Sequence, residues 1–144
     1  MITSVRGQAH IRKFEGTRLT SYRCSAGVWT IGTGHTGPEV VEGLTWTAER
    51  CEAAFQTDLR TAERAVSELV RVPLTPNQHA VLVSFIFNLG RKALANSTLL
   101  TVLNRGGYRL VGPELARWVH AGGRVVQGLV NRREAERAMW LSTA

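Results

Sequence analysis

Thr75-Pro-Asn-Gln78 constrains the fold of this chain more than any other stretch. A hydroxyl residue, a proline at the next position and a glutamine three residues on form a capping box, which starts a helix. Ala80-Val-Leu-Val-Ser-Phe-Ile-Phe87 follows, and Gly90 is a natural stop. The predicted helix is apolar on most sides, so other helices must surround it. With 144 residues, 44% of them hydrophobic, the chain can bury a core of that kind within one domain over 1–144.

The N-terminal part differs in character. Ile2, Val5, Ala9 and Phe14 predict a short helix over 2–14. Over 17–36, Leu19, Tyr22, Val28, Trp29 and Ile31 lie among Thr, Ser and Gly, the composition of a small antiparallel sheet with Arg23-Cys-Ser-Ala-Gly27 as its turn. Cys51, Phe55, Leu59, Ala62, Val66 and Leu69 recur at helical period and predict a long helix over 48–69 capped by Thr47. Shorter helices are expected over 97–104 and 113–119, a loop at Gly122-Gly123, and a last helix over 132–141 capped by Asn131. The expected class is α+β: a β lobe over about 15–46, a linking helix over 47–70, and a helical lobe over 71–144 together with 1–14. A cleft between two lobes is a common place for a substrate.

Charge narrows the partners. The formal net charge is +7, with five basic groups and one acid in 1–38, three and seven in 39–68, and ten and three in 69–144. Basic ends favour a polyanion: nucleic acid, an anionic membrane surface or an acidic wall polymer. No dense Lys/Arg stripe or nucleic-acid module is present, so a nucleic-acid partner is not expected. His10, His35, His79 and His120 lack zinc-ligand spacing, and Cys24 and Cys51 form no CxxC pair. No metal, cofactor or Cys24–Cys51 bridge is expected. The N-terminus has no apolar signal region, and no apolar run reaches membrane-spanning length.

Few side chains stand out for chemistry. Glu15 ends an amphipathic helix beside Phe14 and is the sole acid in 1–38. A carboxyl next to apolar surface suits a general acid, although an ordinary surface Glu fits the same pattern. Arg132 and Arg133 fall at the expected start of the last helix, where positive charge opposes the helix dipole. Such a conflict marks either a functional site or a compensating ion pair. Glu15, Glu134 and Glu136 are rival partners for them.

Glu15, Cys24 and Thr30 fit the spacing Glu-x8-(Asp/Cys)-x5-Thr in full. Trp29-Thr-Ile-Gly-Thr-Gly-His35 flanks the Thr. Leu82-Val-Ser-Phe-Ile-Phe-Asn-Leu-Gly90 and Trp118-Val-His-Ala-Gly-Gly, with Gly128-Leu-Val-Asn-Arg-Arg-Glu-Ala-Glu136, form two further blocks in order. In these blocks the chain resembles the phage-type lysozymes, the muramidase endolysins of glycoside hydrolase family 24, over nearly its whole length.

That resemblance implies a lysozyme-like fold and hydrolysis of the β-1,4 bond between N-acetylmuramic acid and N-acetylglucosamine in peptidoglycan. It implies Glu15 as general acid and Cys24 in the position usually held by Asp. Cys24 then acts as base, nucleophile or water-holder, with Arg23 placed to favour its thiolate. Thr30 holds water or substrate. Arg132 or Arg133 fixes Glu15, Asn88 meets substrate amides, and His35 binds substrate or supports the site. A monomer is expected. It is expected to accumulate in the host cytoplasm, with no stable membrane insertion, and to reach the periplasmic wall through a separate hole-forming protein. Two other readings remain open: a lytic transglycosylase using Glu15 alone, and a basic wall or nucleic-acid binder without catalysis.

Overall fold

Helix α3 (Pro76–Leu89) forms as its capping box predicts: Thr75 Oγ1 accepts from the Gln78 amide, and Gln78 Oε1 accepts from the Thr75 amide. The computed structural model describes residues 1–142; Thr143 and Ala144, the end of the expected domain, lie outside the described residues. Val81, Leu82, Val83 and Phe85 of α3 have no exposed surface. Burying each such side chain stabilises the fold by about 1.5–3 kcal/mol. Around α3 lie α1 (Val5–Glu15), α2 (Ala48–Leu69), α4 (Arg91–Ala95), α5 (Thr98–Asn104), α6 (Tyr108–Leu115) and α7 (Gln127–Leu141). Together they enclose one apolar cluster that runs from Ile11 through Phe55, Leu99 and Val111 to Trp140.

The small lobe is built from β1 (Arg18–Arg23) and β2 (Trp29–Gly32), which pair antiparallel with Tyr22 opposite Thr30 and Arg23 opposite Trp29. Its turn closes where the Cys24 amide donates to the Val28 carbonyl and the Gly27 amide to the Cys24 carbonyl. α2 joins the lobes, capped by Thr47 as expected. It holds β2 where Gly32 packs against Cys51.

Several elements depart from the sequence expectation. α1 starts at Val5 with Ser4 as its cap, and Ile2 and Val5 are exposed; the buried face is Gly7, His10 and Ile11. The reason is close packing. A Cβ on Gly7 would lie 2.6 Å from Ala80 Cβ, so glycine lets α1 approach α3 directly. The helix expected over 113–119 lies at 108–115, with Pro113 inside it rather than at its start. α4 was not anticipated, because five residues are too few for a periodic signal. Gly122 and Gly123, both at positive φ, form more than a loop: they turn a hairpin of β3 (His120–Ala121) and β4 (Arg124–Val125).

The largest correction concerns α7. It begins at Gln127, not Arg132, and Val126 at its N-cap makes no side-chain capping bond. Arg132 and Arg133 therefore lie in the helix interior, and no conflict with the dipole of a helix start exists. Both are buried, with 3% and 2% of their surface exposed.

Candidate active site

Glu15 is the last residue of α1, and Gly16 at positive φ turns the chain away behind it. The negative end of a helix dipole is an unfavourable place for a carboxylate. Arg132 supplies the compensating charge: its Nη1 donates to Glu15 Oε2 at 2.6 Å. Gly34 closes the other side. It has φ +74°, and a Cβ there would fall 2.6 Å from Glu15 Oε1, so this position requires glycine twice over.

Beneath Glu15 lies a buried polar network. Glu136 has no exposed surface. Its Oε2 accepts from Ser84 Oγ at 2.6 Å and from Arg133 Nη2 at 3.2 Å, and its Oε1 lies 2.7 Å from Arg133 Nε. Arg132 Nε lies 3.7 Å from the same carboxylate, and Arg132 Nη2 donates to the Ser84 carbonyl and hydroxyl at 3.3 Å. With its own proton given to Glu136, the Ser84 hydroxyl accepts from Arg132 and from His10 Nε2 at 3.1 Å. Burial pushes the Glu136 carboxyl up, but His10, the two guanidinium groups and Ser84 outweigh it and hold it below the usual carboxylate range. Burial also pulls the Arg133 guanidinium down, and Glu136 partly offsets this. Arg133 does not touch Glu15; its Nη2 donates to Asn88 Oδ1 at 2.8 Å. The sequence-level rivalry among the acids is thus resolved by sharing. Glu15 takes Arg132, Glu136 takes both arginines, and Glu134 is exposed.

Of these side chains Glu15, Asn88 and Arg132 line a cleft of about 1120 Å³, and the rest of the network is buried behind them. Glu15, Cys24, Thr30, Asn88 and Arg132 all line it, so the structure brings together five of the seven residues singled out from the sequence. Cys24 is half-buried in the hairpin turn and unbridged, as is buried Cys51. Thr30 Oγ1 donates to the Val28 carbonyl at 3.0 Å, which leaves its lone pairs free to accept. Arg23 does not serve Cys24 as envisaged: its guanidinium stacks over Trp29, 4.9 Å from the ring centre. Tyr22 also lines the cleft, and burial and the nearby Glu15 charge push its hydroxyl up. The β3–β4 hairpin adds His120, Ala121 and Gly122 to the cleft lining.

His35 does not line the cleft. Its Nδ1 lies 2.7 Å from Asp58 Oδ2 and its Nε2 lies 2.7 Å from Glu39 Oε1, which ties the small lobe to α2. Burial lowers its pKa, but the bonds to Glu39 and Asp58 outweigh this and raise it. Sequence reading missed Gly34, Tyr22, Ser84 and the role of Glu136. Gly34 carried a signal as a glycine of the Trp29-Thr-Ile-Gly-Thr-Gly-His35 stretch, and Glu136 as a rival partner for the arginines.

A small sheet lobe and a helical lobe around a cleft walled by an arginine-held glutamate define a lysozyme-like glycoside hydrolase. A family model described as phage lysozyme matches residues 12–136. An SAR-endolysin of Escherichia phage Mu is 47% identical over 126 residues, 88% of this chain and 73% of the relative. An endolysin of Salmonella phage P22 is 42% identical over 146 residues, covering 99% of both chains. A crystal structure of a P22 lysozyme variant superposes with TM-score 0.81 at 41% identity and 99% coverage of each chain. The chain belongs to the phage lysozyme family.

Proposed function

We propose that this chain is an endolysin muramidase that hydrolyses the β-1,4 bond between N-acetylmuramic acid and N-acetylglucosamine in peptidoglycan. Glu15 gives its proton to the glycosidic oxygen of the leaving sugar. Cys24 and Thr30, on the hairpin wall, position the attacking water, with Thr30 accepting a hydrogen bond from it. Arg132 fixes the Glu15 carboxyl, and Asn88, itself fixed by Arg133, meets substrate amides. The observation that carries this reading is the Glu15–Arg132 pair on the wall of a cleft of about 1120 Å³ between the two lobes. Asp is the usual second carboxylate of such sites, and a thiol near neutrality is a weaker source of negative charge. Water orientation by Cys24 is therefore the role favoured here over a nucleophilic one.

Mass spectrometry of fragments released from purified peptidoglycan tests the reaction. Reducing N-acetylmuramic acid ends are expected. Anhydro ends, lighter by one water, would instead mean a transglycosylase that needs Glu15 alone. Release of nothing would leave a wall binder.

Access to the wall belongs to the same proposal. Among the described residues no helix is long and apolar enough to cross a membrane. The proposed route is a membrane lesion made by a separate protein, so cells expressing the chain stay intact until the inner membrane is permeabilised.

A further inference from the structure

We propose that Glu136 is a positioning residue for the cleft: from one buried carboxylate it holds Arg132 and Arg133, and through them fixes both Glu15 and Asn88. The chain of contacts is continuous. Glu136 meets Arg133 at 2.7 Å, Arg133 meets Asn88 at 2.8 Å, and Arg132 meets Glu15 at 2.6 Å. Ser84, from α3, links Glu136 to Arg132 and to His10 of α1. Three helices thus meet at one carboxylate.

The charges make the inference testable. Two guanidinium groups and two carboxylates form a balanced quartet, three members of which are almost wholly buried. Few other charges face it. On α1, His10 Nε2 lies 3.9 Å from Glu136 Oε2 and also meets Ser84, Arg12 is engaged by Glu52, and Lys13 lies over Phe14. On α7, Glu134 and Arg137 are exposed. α3 offers the uncharged Ser84 and Asn88. Tyr22, Cys24 and His120 stand across the cleft. Removing the Glu136 charge leaves two cations against Glu15 and favours its ionised form. Removing Arg133 leaves one cation against two carboxylates and favours the protonated form. Removing both restores the balance.

The test is a titration of the Glu15 carboxyl by carbon-13 NMR in the full chain, for the wild type, Glu136→Gln, Arg133→Gln and the double variant. The expected midpoint falls in Glu136→Gln, rises in Arg133→Gln, and returns close to wild type in the double variant. A common midpoint in all four proteins would overturn the inference. A purely structural role would lower thermal stability without this pattern of opposite shifts. If Glu136→Gln fails to fold, the upward shift in Arg133→Gln decides alone. The inference rests on the muramidase reading only for its consequence: the alkaline limb of the pH–rate profile should follow the Glu15 midpoint. Midpoints that move while the limb stays put would keep Glu136 as a positioning residue and remove Glu15 as the proton donor.

Discussion

The two walls of the cleft are built in opposite ways. The helical wall is anchored in the core: Arg132, Arg133, Ser84 and Glu136 are all buried, and Glu15 is held against them. The hairpin wall is largely exposed along β1 and is held by strand pairing, a turn and Gly32 against Cys51. One wall fixes Glu15, the proposed proton donor, through a desolvated network, where electrostatic contacts are strong but costly to break. The other presents Cys24 on a half-buried turn beside largely exposed residues, and Thr30 on β2, where Thr30, Ile31 and Gly32 are buried. Changes on the helical wall should therefore lower activity and stability together, and changes in the hairpin turn that carries Cys24 should lower activity alone.

Glu15→Gln should have the largest effect on rate. An amide has no proton to give, and turnover of purified peptidoglycan should fall by about 10³-fold or more. Arg132 also loses its counter-charge, so thermal unfolding should begin at lower temperature. Arg132→Leu should come next, with a rate loss of about 10²-fold and a stability loss of about 3 kcal/mol by denaturant unfolding, because Glu15 and Glu136 then share a site without their common cation. An Arg132→Leu variant of full stability would break the contrast between the walls.

Cys24→Ser sharpens the contrast from the other side. Turnover should fall by about 10-fold to 100-fold, with an unchanged unfolding midpoint, since the side chain sits in a half-buried turn. Near-normal turnover would remove any thiolate role. The smallest effect is expected away from the cleft. His35→Asn should lower the melting temperature by about 3 °C near pH 5.5. The raised His35 pKa means its contribution is fully present below about pH 6.5 and is lost as pH rises through the higher folded value. At the acid end it fades as Glu39, whose carboxyl is held low by His35, gains its proton. A wild-type-minus-variant difference that persists at high pH would contradict this.

The sequence exposed the parts of this design that leave periodic or capping signals. The capping box at Thr75 located α3, Thr47 located α2, and the Thr/Gly-rich strands located the hairpin that carries Cys24 and Thr30. α7 was misplaced by five residues because its start lacks a capping side chain while Asn131 offers one inside the helix. That error turned two buried cations into an apparent conflict at a helix end. The sequence left three acids as rival partners for these arginines, and the structure pairs Arg132 with Glu15 and both arginines with Glu136, since partner choice is set by packing rather than by helix position. Ser84 and His10 gave no signal at all. A serine within an apolar helix and a histidine on a short one gain meaning only when α1, α3 and α7 are packed together.

The central claim is that the proton comes from one wall and the water from the other. Attack opposite the leaving oxygen inverts the anomeric carbon. Proton NMR of freshly cleaved glycan, read before mutarotation, tests this most directly. The account predicts that the α-anomer of the new N-acetylmuramic acid reducing end appears first. First appearance of the β-anomer would mean retention and would contradict the division of labour between the two walls.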